Sequence, residues 1–274
     1  MLRERPNGRS LVYRRHLRLV ADGARVVGAI EDNPHHFRVH LEHDGERVTR
    51  IEGESVRFPW STCPSAGARL RALVGMPLSP QSTAVGAVAR ATDQCTHMFD
   101  LAGLAVAHAH RARGRGAASV RTYRCAVALD RSEDPARAGH TLATLAREDE
   151  GPGAAPPLEL AWTVDGDTVL RPAPFAGVHL HARFMAWVDA NLDLERAEAA
   201  LVLRRACFVA PSRFFDFDGV ERATELQHMV GRCHTFSEVR AHDARRMPGT
   251  FRDYTHDPAA MLGDAPGVRA GADD

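Results

Sequence analysis

The stretch His35–Asp44, HHFRVHLEHD, decides the fold class that this sequence predicts. Its apolar and polar residues alternate strictly, with Phe37, Val39 and Leu41 in one set and His36, Arg38, His40 and Glu42 in the other. Alternation with a period of two is typical of a strand that has one buried and one solvated face. The Asp44-Gly45 pair that follows favours a tight turn between antiparallel strands.

Working outward, the segments 24–32 (ARVVGAIED) and 47–58 (RVTRIEGESVRF) also have strand character. Together with 35–44 they predict a small antiparallel sheet within residues 11–58. His36 and His40 share the polar face at strand spacing, where they could bind a metal ion. We favour the simpler interpretation that both are solvated histidines on a wet face.

The hydrophobic period changes from two to between three and four after Pro59. Three helices are predicted there: residues 64–75, with Pro64 in the first turn and Gly75 as the stop; residues 79–91; and a helix from about Asp93 onward. Strand patterns return in 120–130, 140–146 and 158–171, the last being a hairpin candidate around Asp165-Gly166. Helical patterns then occupy 179–192, 193–206 and 235–246, with an Asp193 cap and a Thr235/Glu238 capping box.

This order of elements predicts an α+β fold with an N-terminal antiparallel sheet covered by helices, further strands, and a helical C-terminal third. We expect a single domain over residues 10–262, with an alternative sub-boundary near 114–118. Residues 263–274 have the composition of a disordered tail.

Composition excludes several classes of function. The 274 residues contain 35 basic and 35 acidic side chains, and every basic one is arginine. A balanced charge provides no field for nucleic acid or an anionic membrane, and a chain without lysine cannot form a Schiff base or complete a P-loop. The N-terminus has no signal-peptide pattern and no stretch is long enough to span a membrane, so we expect a cytoplasmic protein.

Five cysteines without an export signal disfavour a disulfide framework. Cys63 and Cys95 are each placed at a predicted helix start, where unpaired N–H groups and the helix dipole favour the thiolate. Cys233 precedes the Thr235 cap. Cys125 and Cys207 lie among apolar residues within predicted segments and are interpreted as packing thiols.

Imidazoles accompany two of these thiols, in the sequences CTH (Cys95 and His97) and GRCH (Cys233 and His234). Two fully helical residues at i and i+2 point in different directions, so Cys95 and His97 can share an ion only if Cys95 lies on the non-helical cap. Asp93 and Asp100 are spaced to orient the His97 ring. The alternative is that Cys95 is a core residue and that His97 faces water.

Several of these motifs resemble those of the bacterial domain-of-unknown-function family 2889. They are the turn with Pro59 and Cys63, the helix ending in LVG, the CTH sequence before an alanine-rich helix, the GRCH sequence, and the ending MPGTFRDYTHDPAAML at 247–262. The resemblance covers most of residues 10–262 and implies no established reaction. Gln94 stands where the family pattern has glycine. A more distant similarity in layout links the chain to iron-sulfur scaffold and sulfur-acceptor domains of the NifU and SufE type.

The leading hypothesis is a Cys/His site that binds zinc or iron, with Cys63, Cys95, His97, Cys233 and His234 as candidate ligands. A sulfur or iron-sulfur carrier with a sulfur-transfer partner is the second hypothesis. Thiol-based catalysis is the third, with Cys63 or Cys95 as the nucleophile and His97 or His234 as the catalytic base. A protein that binds a small molecule and has buried structural thiols is the fourth.

Overall fold

A computed structural model describes residues 3–4, 12–129, 139–213, 215–217 and 219–264. Its strands are β1 (Arg3–Glu4), β2 (Val12–Asp22), β3 (Arg25–Asp32), β4 (His36–His43), β5 (Val48–Arg57), β6 (Ser119–Leu129), β7 (Thr141–Glu150), β8 (Leu158–Asp165), β9 (Thr168–Arg171) and β10 (Phe215–Asp216). Its α-helices are α1 (Thr96–Ala112), α2 (Phe184–Asn191) and α3 (Leu194–Val209). Short 3-10 helices occupy Cys63–Leu73, Ser82–Ala87, Ala91–Asp93, Ala210–Arg213, Ala223–Glu225, Gln227–Met229 and Pro258–Ala260.

Eight strands form one antiparallel sheet in the order β5-β4-β3-β2-β6-β7-β8-β9. The strands predicted from alternation are all present in it, and the α+β fold class is confirmed. The two groups of strands predicted from separate parts of the sequence join through β2, which pairs with β3 on one side and with β6 on the other. β2 therefore lies near the middle of the sheet. The small pair β1-β10 is separate from it.

α1 and α3 cover the same face of the sheet, which we call the helix face. α1 packs on β2, β3 and β4, and α3 packs on β6, β7 and β8. The apolar set of the deciding stretch, Phe37, Val39 and Leu41, is at most 1% exposed and belongs to this core. The alternation in that stretch thus identified the buried face.

Glu198 of α3 joins the two helices to the sheet although its side chain is only 3% exposed. Arg111 of α1 and Arg121 of β6 both donate to it, and so does the hydroxyl of Tyr123. Burial by itself would raise the pKa of Glu198, but the two arginines and Tyr123 lower it below its ordinary value. The carboxylate is therefore charged and fully partnered inside the protein.

The opposite face of the sheet, which we call the outer face, is crossed by the chain after residue 250. Arg57 donates to the Thr250 carbonyl at 2.7 Å. Glu31 accepts from the Tyr254 hydroxyl at 2.5 Å and from the Leu262 backbone N–H at 2.7 Å. His36 lies beneath this segment and is 4% exposed, so the expectation that it is solvated is wrong.

His40, by contrast, is half exposed on the outer face and lies 3.2 Å from Glu54. The difference from His36 arises because residues 250–264 cover one part of the outer face and leave the other open. Alternation assigned both histidines to the correct face but could not show what lies across it.

The helix predicted over 64–75 is a 3-10 helix instead of an α-helix. This segment closely approaches β5. A Cβ on Gly67 would lie 2.1 Å from the carbonyl oxygen of Gly53, so the two backbones touch with no side chain between them. The segment from 79 to 91 is likewise reduced to the 3-10 turn Ser82–Ala87.

The helix predicted over 235–246 is wrong, because that segment consists of successive turns. Thr235 does not cap a helix; its hydroxyl donates to the sulfur of Cys63 at 3.4 Å. Local turns replace the helix, as in the bond from the Ala241 N–H to the Ser237 carbonyl. In the described part of the C-terminal third, α-helix is confined to α2 and α3, and the predicted Asp193 cap of α3 is confirmed.

None of the helices in the described ranges is long and apolar enough to cross a membrane. The predicted tail, residues 263–274, lies outside the described residues except for Gly263 and Asp264. The boundaries at 10–262 and the sub-boundary near 114–118 remain predictions.

Gly103→Ala tests how α1 is seated. A Cβ at this position would lie 2.0 Å from the carbonyl oxygen of Ser82, so α1 or the Ser82–Ala87 segment must move. We expect a loss of about 1–3 kcal/mol in the free energy of unfolding, measured by urea denaturation, although alanine is the better helix former. Gly86→Ala is the matched control, because a Cβ there meets no atom within 4 Å. Equal stability of the two variants would contradict the close approach.

Candidate metal centre

Asp32, His35 and His97 come together at the end of the helix face where α1 begins. Asp32 is the last residue of β3, His35 lies in the turn before β4, and His97 is the second residue of α1. One ligand atom from each side chain lies within 4.8 Å of the other two. Asp32 is fully buried and the two histidines are partly buried.

The turn from β3 to β4 places His35 against Asp32. The backbone N–H of Asp32 donates to the His35 carbonyl at 2.8 Å, and the Asp32 carboxylate accepts from the His35 backbone N–H at 2.8 Å. Asn33 and Pro34 occupy the two positions between them, in keeping with the preference of an Asn-Pro pair for a turn. Nδ1 of His35 then lies 2.9 Å from Asp32 Oδ1.

The second carboxylate oxygen of Asp32 is held from β2. Oδ2 accepts from the Tyr13 hydroxyl at 2.8 Å and from Nη1 of Arg15 at 2.9 Å. Burial alone would raise the pKa of Asp32, but the charge and hydrogen bond of His35 together with the charge of Arg15 lower it far below its ordinary range. Asp32 is therefore an oriented carboxylate that is negative at all physiological pH values.

His97 presents a neutral imidazole to this carboxylate. Burial, followed by the nearby His35 and Arg15, lowers its pKa well below the ordinary value. Its ring centroid lies 4.0 Å from that of His35. Nε2 of His97 is buried and has no hydrogen-bond partner among the described residues. A neutral imidazole has one ring nitrogen with a lone pair that can bind a metal ion.

His97 thus lies next to Asp32 and His35, neither of which was predicted from the sequence to be a site residue. Asp100, one of the two carboxylates expected to orient His97, binds Arg205 at 2.5 Å. Asp93, the other, is exposed. Asp32 and His35 were missed because they lie more than 60 residues from His97 along the chain. The available signal was the turn-forming run DNPH at a strand end, which puts a carboxylate and an imidazole at one edge of the sheet.

Cys63, Cys95 and Cys233, the three thiols next to predicted helix starts, lie in segments that are joined by hydrogen bonds. The Thr235 hydroxyl donates to the sulfur of Cys63, and the His234 N–H donates to the Gln94 carbonyl at 2.8 Å. The thiols of Cys63, Cys95 and Cys233 are close enough that charge on one would raise the pKa of another. Among the described residues, however, no group of three ligand atoms within 4.8 Å contains a cysteine.

The expectation that Cys63 is an acidic thiol is wrong. It is 7% exposed and packs in a small apolar cluster with Trp60 and Phe236. Burial raises its pKa to about 11, although the Thr235 hydrogen bond opposes that shift. The helix start also stabilises the thiolate less than expected. Cys63 begins a 3-10 helix, and the N–H groups of Cys63 and Ser65 already donate to the carbonyls of Trp60 and Thr62.

Cys95 occupies the non-helical cap of α1, the position that the CTH spacing requires for a shared ion. It is nevertheless 8% exposed and part of the main core, and burial raises its pKa strongly. Nε2 of His234 is hydrogen-bonded to Oγ of Ser65 at 2.8 Å, and burial lowers the pKa of His234 to about 4. The ligand set Cys63, Cys95, His97, Cys233 and His234 therefore remains a prediction.

Cys125 and Cys207 behave as the packing thiols that the sequence indicated. Cys125 is 1% exposed in the main core, and Cys207 is partly buried against the same core. Burial raises the pKa of each to about 12.

Residues 21–111 match the family model described as a protein of unknown function, DUF2889. This segment is similar to the DUF2889 family. It contains Asp32, His35, Cys63, Cys95 and His97, whereas Cys233 and His234 lie outside it. The resemblance inferred from the motifs is thereby confirmed over these residues, and its extension to residue 262 stays a prediction, as does the similarity to NifU-type domains. No curated protein significantly matches the chain.

Cys63 should react slowly with iodoacetamide in the folded protein. Because burial places its pKa at about 11, the labelling rate should keep rising beyond pH 9 without a plateau. Peptide mass spectrometry of samples quenched at each pH measures this rate, and protein unfolded in urea is the reference for an accessible thiol. A plateau with a midpoint below about 8.5 would restore Cys63 as a nucleophile.

Proposed function

We propose that this protein binds one divalent metal ion through Asp32, His35 and His97. The observation that carries the proposal is that one ligand atom from each of the three side chains lies within 4.8 Å of the other two. In addition, Nε2 of His97 is buried and has no hydrogen-bond partner among the described residues. A buried polar atom without a hydrogen bond is costly, and a metal ion would satisfy it.

Two imidazoles and one carboxylate are a ligand set that suits Zn²⁺ or Fe²⁺. Three protein ligands leave coordination positions open for water or for a substrate oxygen, as in catalytic sites. The chemistry available to such an ion is the polarisation of a bound oxygen or the deprotonation of a bound water. The proposed function is accordingly a metal-dependent one that uses these open positions.

Tyr13 and Arg15 have a positioning role in this proposal. Both donate to Oδ2 of Asp32 and hold the carboxylate in one orientation, as outer partners of metal ligands do. The guanidinium of Arg15 also repels a cation, so it keeps the affinity of the site below that of an Asp-His-His set without such a neighbour.

A second candidate site is the group of thiols Cys63, Cys95 and Cys233. The hydrogen bonds that join their segments favour it, since three thiolates bind zinc or iron tightly once a metal displaces their protons. A sulfur or iron-sulfur carrier is favoured less, because that function needs an accessible sulfur and Cys63 is 7% exposed.

Metal titration of anaerobically purified, chelator-treated protein tests the proposal. Wild-type protein should bind one equivalent of Co²⁺, Zn²⁺ or Fe²⁺, measured by elemental analysis and by visible spectra of the cobalt form. His97→Ala should abolish this binding. His40→Ala is the matched control, because His40 is a half-exposed histidine of the outer face and should not affect it.

The spectrum of the cobalt form separates the two candidate sites. Asp32, His35 and His97 should give no cobalt–thiolate charge-transfer band, and Cys63→Ser should leave the stoichiometry unchanged. A thiolate band that disappears in Cys63→Ser, with binding intact in His97→Ala, would assign the ion to the thiols and refute the Asp-His-His site.

A further inference from the structure

A groove of about 1030 Å³ runs along the outer face of the sheet, on the side away from α1 and α3. Its floor is formed by β2, β6, β7 and β8, and one wall is the segment from Pro258 to Leu262. Glu31 clamps this wall to the sheet through the Leu262 N–H. The groove is therefore a built feature of the fold and lies on the opposite face from the Asp32, His35 and His97 cluster.

One end of the groove is cationic. Arg14 and Arg18 project from β2 into it, and neither side chain has an ion pair or hydrogen bond with the residues that the structure describes. Nε of Arg14 is buried and has no hydrogen-bond partner within the described ranges. Arg124 of β6 lines the same end and is paired with Glu148 at 2.5 Å. Two unpaired guanidinium groups in one concavity favour a carboxylate or phosphate between them.

Two nearly buried polar side chains face the same end. Thr122 is 7% exposed, and its hydroxyl has no hydrogen-bond partner among the described residues. His16 is 9% exposed and lies directly across from Arg124 in the strand register. Burial, together with Arg124 and Arg14, lowers the pKa of His16 to about 4, so its ring is neutral and offers a hydrogen-bond donor.

The remainder of the groove is apolar. Ala126, Ala146 and Ala161 form its floor, and their small side chains create the space above the sheet. Met261 and Leu262 contribute to the wall. Glu159 lines the groove on β8, opposite Ala146, and disfavours an anion there. The charge distribution thus sets one orientation for a ligand.

We propose that this groove binds a small amphipathic anion, with its carboxylate or phosphate between Arg14 and Arg18 and its apolar body over the alanine floor. The unpaired guanidinium groups and the free Thr122 hydroxyl supply the polar contacts. The apolar body is buried between Ala146, Ala161 and the 258–262 wall.

Calorimetric titration with decanoate, decyl phosphate and decanol tests this site. Wild-type protein should bind either anion saturably with a stoichiometry of one and should bind decanol at least about tenfold more weakly, because the alcohol lacks the charge. The tighter of the two anions identifies the head group. Binding of decanol as tight as that of both anions would overturn the proposal.

Two variants locate the binding. Arg14→Gln combined with Arg18→Gln should weaken binding by about tenfold for each arginine removed. Ala161→Trp should weaken it by filling the groove without changing its charge. Arg25→Gln is the matched control, since Arg25 is 78% exposed and outside the groove. Thermal melts check that each variant is folded. If the double variant is unfolded, the affinity of Ala161→Trp alone tests the proposal. Unchanged affinity in the folded variants would refute the groove as the site.

Discussion

The register between β2 and β3 places Arg15 directly opposite Asp32, and most features of the molecule depend on this pairing. Both side chains are at most 1% exposed, so the ion pair is desolvated and stable only because the carboxylate is also bonded by Tyr13 and His35. A shift of one residue would turn Arg15 to the outer face and leave Asp32 buried and unpaired. β2 is held against such a shift because it is paired on both edges.

β2 contributes side chains to both faces of the sheet. Tyr13 and Arg15 face α1 and orient the carboxylate of the proposed metal centre, whereas Arg14, His16 and Arg18 line the outer groove. The two proposed sites therefore lie on opposite faces of β2 and have no side chain in common. A change of pairing in β2 would alter both.

Arginine fills several buried positions of the structure. Arg15, Arg121 and Arg147 are each at most 2% exposed. Arg121 binds both Asp149 and Glu198, which requires several donors in one plane. Because the chain contains no lysine, each of these buried cations is an arginine. For the thiols, burial outweighs any effect of a helix start, which is why Cys63 is protonated in the folded protein.

The sequence by itself determined the strands β3 to β9, the two long helices α1 and α3, and the apolar face of β4, because period and capping are local properties of the chain. It also identified His97 as a residue of interest. Only the tertiary structure decided that His97 meets Asp32 and His35, that residues 235–246 form turns, and that His36 is covered. Each of these outcomes depends on a contact between segments far apart in the chain. Local patterns contain no record of such contacts, since they arise only when β3, α1 and the C-terminal segment pack together.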